Sequence, residues 1–209
     1  MNQGYDTRAL YLTHPQVENL GFLLLFFTAH RVSPSTDTAC LRIIDNLKTL
    51  FLSRDDQAIF GVSGEQENLS ALHDALQESV QAMNQKKMKE SQDVFTYVPG
   101  TAAPRILLWE HTDELLFRIE AGMTEEMEAL ITGLFHWYGS LTDATFYEVK
   151  YSCFQITNQL KLIMHQYIHQ LQIDTVDSSI QNILDTMFSL EELEHYYRQF
   201  FNSVSRALA

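Results

Sequence analysis

Basic residues are scarce in this chain, and that scarcity excludes a first class of function. Only 14 Lys and Arg stand against 27 Asp and Glu over 209 residues, a formal charge of −13. Binding a phosphate backbone rests on clustered cations that release counterions. The one basic run, Lys86-Lys87-Met88-Lys89, is short and is followed by Glu90 and Asp93, so it reads as the solvated C-terminal end of a helix. Direct nucleic-acid binding is therefore not expected. Cysteine is nearly absent too. Cys40 and Cys153 are too few and too far apart for a disulfide framework, and read as small core residues in a reducing compartment. The longest apolar run, Leu20 to Phe27, is far short of the roughly 20 residues that span a bilayer. Met1 to Tyr11 is polar and mixed, unlike a signal peptide. The expectation is a cytoplasmic protein with no membrane partner.

Signatures of chemistry are missing as well. Gly61 and Gly64 bracket Val62-Ser63 after a strand, but neither a Rossmann nor a Walker sequence surrounds them, so they read as a structural turn. Ser63 is not in a nucleophile elbow, and Cys153 has no triad partner legible in sequence. The acidic pairs Asp55-Asp56, Glu125-Glu126 and Glu191-Glu192 fall at turns or helix starts, where capping and solvation account for them. His165 and His169, four apart on one helix, are the weak candidates for a metal. No Glu follows His165, so the zincin pattern is absent. No enzyme activity and no cofactor are expected.

What is present is a globular composition, 45% hydrophobic with four prolines and no low-complexity tract, long enough to bury a core. Leu20 to Phe27 reads as a strand buried on both faces, and Leu41, Ile44, Leu47, Leu50 and Phe51 repeat at helical spacing. Ala58-Ile59-Phe60-Gly61-Val62-Ser63 reads as a strand. A helix with Leu69, Leu72, Leu76, Val80 and Met83 on one stripe follows it, and then the strand Val94 to Val98 stops at Pro99-Gly100. That order makes the helix a connection between two strands of one sheet. Beyond the lead-in Arg105-Ile106-Leu107-Leu108-Trp109 the pattern is helical. Thr112, Thr124 and Ser140 stand as N-caps, and a long helix is predicted from about Asp143 to Leu171. Ser189-Leu190-Glu191-Glu192 forms a capping box ahead of Leu193, Tyr196, Tyr197, Phe200, Phe201 and Val204. The fold class is α+β, with an α+β domain over residues 1–104 and an all-α helical bundle over 105–209.

The segment Ala58–Gly100 resembles the last part of a degenerate GGDEF-like domain: the Ile-Phe-Gly-Val-Ser strand, a loop, then the helix Leu69 to Met83. Bacterial AraC-type transcription regulators carry such a region between a receiver or sensor module and a DNA-binding helix-turn-helix pair. A helical segment follows there, with runs like Phe117-Arg118-Ile119-Glu120-Ala121-Gly122 and Leu184 to Leu193, and both stand here in that order. The resemblance implies a partial ferredoxin-like or GGDEF-like sheet. No Gly-Gly-Asp/Glu-Glu-Phe is present; the corresponding hairpin position holds Glu18-Asn19-Leu20-Gly21-Phe22, so cyclase activity is not implied.

By this resemblance the chain is a non-catalytic signal-coupling and dimerisation module, either an excised middle region or a stand-alone relative. Its implied partners are a second copy, an input module and a DNA-binding module. The interface candidates are Leu193, Tyr196, Tyr197, Phe200 and Phe201. Two alternatives stay open: a small-molecule sensor with a pocket between the partial sheet and the bundle, lined by residues such as Trp109, Phe117 and Trp137, and a metal-binding protein using His165 and His169.

Overall fold

The protein was analysed as a computed structural model, which describes residues 7–13, 20–27, 36–52, 58–100, 103–167, 180, 183–184 and 186–208. It is a mixed α+β fold, with helices dominating the second half. Among the described residues the strands form two separate pairs instead of one sheet. Strands β1 (Thr7–Thr13) and β2 (Gly21–Phe27) make an antiparallel ribbon with Tyr11 opposite Leu23 and Leu10 opposite Leu24. Strands β3 (Phe60–Val62) and β4 (Val94–Thr96) pair in parallel, with Gly61 opposite Phe95.

The ribbon corrects the sequence reading at two points. Thr7–Thr13 is a strand within a stretch read as mixed and polar, and β2 is only half-buried from Phe22 to Leu25. Leu10 and Tyr11 on its partner strand are largely exposed. The continuous apolar run fitted a strand covered on both faces, whereas a two-stranded ribbon covers neither face completely.

The β3–helix–β4 connection stands as the sequence order required. Helix α1 (Thr36–Leu52) approaches the pair through Lys48, whose Nζ lies 3.0 Å from Asp93, and through Phe51, edge-on to Phe60. After a turn of 3₁₀ helix capped by Asn68, helix α2 (Leu72–Asn84) lies directly on β3. A Cβ at Gly61 would sit 1.9 Å from the Ser79 carbonyl oxygen, so only glycine allows this approach. Glu78 of α2 accepts the Gly64 N–H at 3.0 Å, which ties the turn to the helix.

Among the described residues the bundle is built on helices α3 (Thr112–Glu120), α4 (Thr124–Ser140), α5 (Phe146–Tyr167) and α6 (Leu190–Leu208). Its buried centre combines Leu115 and Ile119 of α3, Met127, Ile131 and Phe135 of α4, Val149, Cys153 and Leu160 of α5, and Leu193, Tyr197 and Phe201 of α6. Helix α3 stops at Gly122, whose φ of 68° belongs to the left-handed region. Gly122 N–H donates to Ile119 O and Met123 N–H to Arg118 O, a Schellman stop that turns the chain sharply into α4.

Three helix starts differ from expectation. Thr112 and Thr124 are the first residues inside α3 and α4, while His111 and Met123 occupy the cap positions without side-chain cap bonds. Ser140 is the last residue of α4, and its hydroxyl donates back to Trp137 O. The true cap of α5 is Thr145. By contrast, the Ser189 box forms as read: Glu192 N–H donates to Ser189 Oγ, and Glu192 Oε2 accepts from Ser189 N–H.

Two outcomes follow from this packing. Gly61→Ala should destabilise the protein by roughly 1–3 kcal/mol, because α2 must lift off β3 to admit the methyl group; a urea midpoint within error of the parent would contradict the contact. Thr145→Ala should cost about 1 kcal/mol through loss of the α5 cap, measurable in the same titration.

Candidate functional site

The residues that bring distant segments together converge on the N-terminal turns of α5. A helix start leaves its first N–H groups without intrahelical partners. Here Glu148 N–H donates to Thr145 Oγ1 at 3.2 Å, and Glu148 Oε2 accepts from Thr145 N–H at 2.8 Å, a reciprocal capping box. The N–H of Phe146 donates instead to the carbonyl of Lys86, just past the end of α2, at 2.8 Å. Met88 N–H donates to Ala144 O at 3.0 Å, so Lys87 and Thr145 face each other across a short antiparallel bridge. The basic run read as a solvated helix end is thus the main-chain clip between the two halves, with Met88 packed against the bundle core.

Two further attachments land within the next turns. Lys150, buried on α5, donates to Asn84 Oδ1 at 2.9 Å and lies over the rings of Phe146 and Phe188 at 5.0 and 4.8 Å. The extended strap 103–109 crosses the same place. Arg105 grips Glu148 with Nε to Oε1 at 2.6 Å and Nη2 to Oε2 at 3.3 Å, and also reaches the Asp143 carbonyl at 3.3 Å. Two residues on, Leu107 N–H donates to Ser152 Oγ at 2.7 Å. The strap then places Trp109 against Gly133 of α4, where a Cβ would lie 3.3 Å from the indole.

The Arg105 guanidinium holds the Glu148 carboxyl below its ordinary value, against the opposing effect of burial. A lowered folded value means that the clamp contributes fully above the ordinary Glu range, about pH 4.3. Its contribution is lost as pH falls through the lowered folded value.

The aromatic stripe of α6 is divided by burial. Leu193, Tyr197 and Phe201 are at most 1% exposed and belong to the protomer's own core, so they cannot offer a surface to a partner. Tyr196 and Phe200 are half-buried and stack on each other, rings 6.2 Å apart and 6° from parallel. The sequence stripe joined two functions because a wide apolar arc on a helix does not reveal where a neighbouring helix stops covering it.

Beside this stripe α4 and α6 frame an open polar cleft of about 670 Å³, lined among others by Thr124, Glu128, His195, Arg198, Asn202 and Arg206. Its central charges are already engaged. Arg198 binds Glu128 and Glu194 and donates to Thr132 Oγ1 at 2.7 Å, while Asn202 donates to Glu128 Oε1 at 2.5 Å. This network fastens α6 to α4.

Of the sensor-pocket candidates, Trp109 and Trp137 pack against the bundle, Phe117 is more than half exposed, and none of the three lines the cleft. His169 lies outside the described residues, as does the His165 side chain. Among the described residues no group of three or more His, Cys, Asp or Glu is placed to hold a metal ion.

Cys153 sits fully buried between Tyr138 and Tyr197, and burial pushes its thiol up to about 12. Burial also raises both phenols. Tyr197 OH is 3.2 Å from Thr157 Oγ1, whereas Tyr138 OH has no hydrogen bond of ordinary geometry. The cluster is a packed core with no accessible thiolate.

Sequence reasoning missed Thr145, although its signature, Thr-x-x-Glu before an apolar run, was available. It also missed Arg105, 43 residues from its carboxylate partner, for which no local signal exists. Compared with known proteins, the chain matches no family model, curated protein or solved structure.

Two measurements check this chemistry. In Arg105→Ala the acid unfolding limb should begin at higher pH than in the parent, since the Glu148 value rises; coincident limbs would refute the clamp. An aromatic disulfide reagent should leave Cys153 unmodified in the native protein at pH 8 and modify it in denaturant, as peptide mapping would show.

Proposed function

We propose that this chain is a non-catalytic regulatory module of an AraC-type transcription regulator, coupling an input module to a DNA-binding module. The observation that carries the reading is the convergence at the start of α5. The α/β half, the strap and the bundle all meet on residues 143–152. A catalytic domain concentrates polar groups in a cleft with unspent hydrogen-bonding capacity. Here the main-chain bonds at 86–88 and the buried Lys150–Asn84 pair are used to join one half of the chain to the other. Such a joint is suited to passing a displacement along the chain.

The β3–α2–β4 order supports the degenerate GGDEF-like resemblance, and the Schellman stop at Gly122 gives the run Phe117–Gly122 a structural purpose. No helix among the described residues is long and apolar enough to cross a membrane. A cytoplasmic setting fits the two widely separated cysteines, of which Cys153 is buried.

Assembly into a homodimer belongs to the same reading, because a regulator that reads paired half-sites needs a two-fold. The surface available for it is the outer edge of the α6 stripe, Tyr196 and Phe200, and not the buried residues beside them. Light scattering across a dilution series should give a molar mass of two chains, about twice 24.1 kDa. Phe200→Asp should shift the mass toward one chain while the far-ultraviolet spectrum stays that of the parent. A parent that is monomeric at every concentration would overturn the dimer reading. Leu193→Asp is unsuitable, because that position reports on folding.

A further inference from the structure

We propose that the first turns of α5 act as a latch, with Arg105 and Glu148 as its closing pair. Through them, movement of the α/β half or of the strap is conveyed to the bundle. The inference rests on the signal-coupling reading and names the element that would do the coupling. Glu148 serves two neighbours at once. Its Oε2 accepts from Thr145 N–H at 2.8 Å and from Arg105 Nη2 at 3.3 Å, while Oε1 takes Arg105 Nε at 2.6 Å. The carboxylate that caps the helix is therefore the one that holds the strap. Moving the strap withdraws the cation, and the cap loses the charge that fixes its rotamer.

The cap is in turn next to the main-chain clip. Thr145, whose N–H the carboxylate holds, is the residue facing Lys87, and its neighbours Ala144 and Phe146 bond to Met88 and Lys86. A cap that turns takes the clip with it, and the clip is continuous with α2 through Asn84, the partner of Lys150. On the bundle side the same turns carry Val149 and Cys153 into the core, next to Tyr138 of α4 and Tyr197 of α6. Strap, α2 exit and bundle core are thus linked through about two turns of helix. Packed elements of this kind switch between discrete arrangements instead of deforming smoothly.

Arg105 and Glu148 are positioning residues in this scheme, and the latch differs from a simple structural tie in where its loss is felt. The test is hydrogen exchange by mass spectrometry on the full chain at pH 7, comparing the parent with Arg105→Ala and Arg105→Lys. Arg105→Ala removes no cap atom and substitutes an exposed side chain, so the fold is retained. The expected result is at least tenfold faster exchange in three segments together, 103–109, 84–88 and 144–150, with a smaller rise around Tyr138 of α4 and Tyr197 of α6, which flank Cys153, and none in α3. Arg105→Lys, which keeps the charge but not the two-pronged grip, should restore part of the protection at 144–150.

Faster exchange confined to 103–109 would overturn the latch, since the strap would then be held without being coupled to the clip. A uniform rise across all helices would overturn it too, since the pair would then be contributing only to global stability. The measurement uses neither DNA nor a second copy. A monomeric protein can therefore refute the dimer reading while the latch stands, and a failed latch leaves assembly untouched.

Discussion

An α-helix cannot begin inside a protein without somewhere for its first N–H groups to go, and in this chain the start of α5 satisfies that requirement from three directions. Glu148 N–H is met by the Thr145 hydroxyl, Phe146 N–H by a carbonyl beyond α2, and the box is completed by a carboxylate that a guanidinium holds in place. Because one of those partners belongs to the α/β half, the longest described helix of the bundle is not self-sufficient. The two halves are joined at a point where backbone groups would otherwise be buried and unpaired, which is costly enough to resist casual separation.

The rest of the bundle is arranged around this anchored helix. Its buried stripe meets Tyr138 and Tyr197, large side chains that position α4 and α6, and the outer polar network of Arg198, Glu128 and Asn202 holds those two helices together from the solvent side. Apolar packing inside and a charged clasp outside give α6 two independent reasons for its orientation. That leaves Tyr196 and Phe200 at a defined edge instead of on a loosely held helix.

Much of the helical half could be read from sequence, and for clear reasons. The Ser189–Glu192 box is a local device whose donor and acceptor are three residues apart, and the β3–α2–β4 order follows from two short apolar strands around one amphipathic run. Local signals failed where two of them competed. Ser140 has the chemistry of a cap, yet α4 runs through it, and the cap falls to Thr145 five residues later. Burial was the harder quantity. Gly21 to Phe27 has the composition of an enclosed strand, but enclosure depends on what stands on either face, and composition does not specify that. The pairing of Arg105 with Glu148 was illegible because ion pairs between remote segments leave no periodic trace.

The clip between Lys86–Met88 and Ala144–Phe146 is made of main-chain atoms alone. These hydrogen bonds ask only for an amide hydrogen at 88 and 146 and a carbonyl at 86 and 144; the packed Met88 and the buried Ala144 and Phe146 add demands of size and apolarity, not of one particular side chain. Proline is the one chemical exclusion, at the two donor positions. Selection acting on this joint would therefore restrain shape while leaving identity free to drift. Two descendants of one ancestor could keep the same connection between their halves with no side chain in common across it. The hydrogen bonds that join the two halves would then be the part that residue-by-residue comparison is least equipped to see.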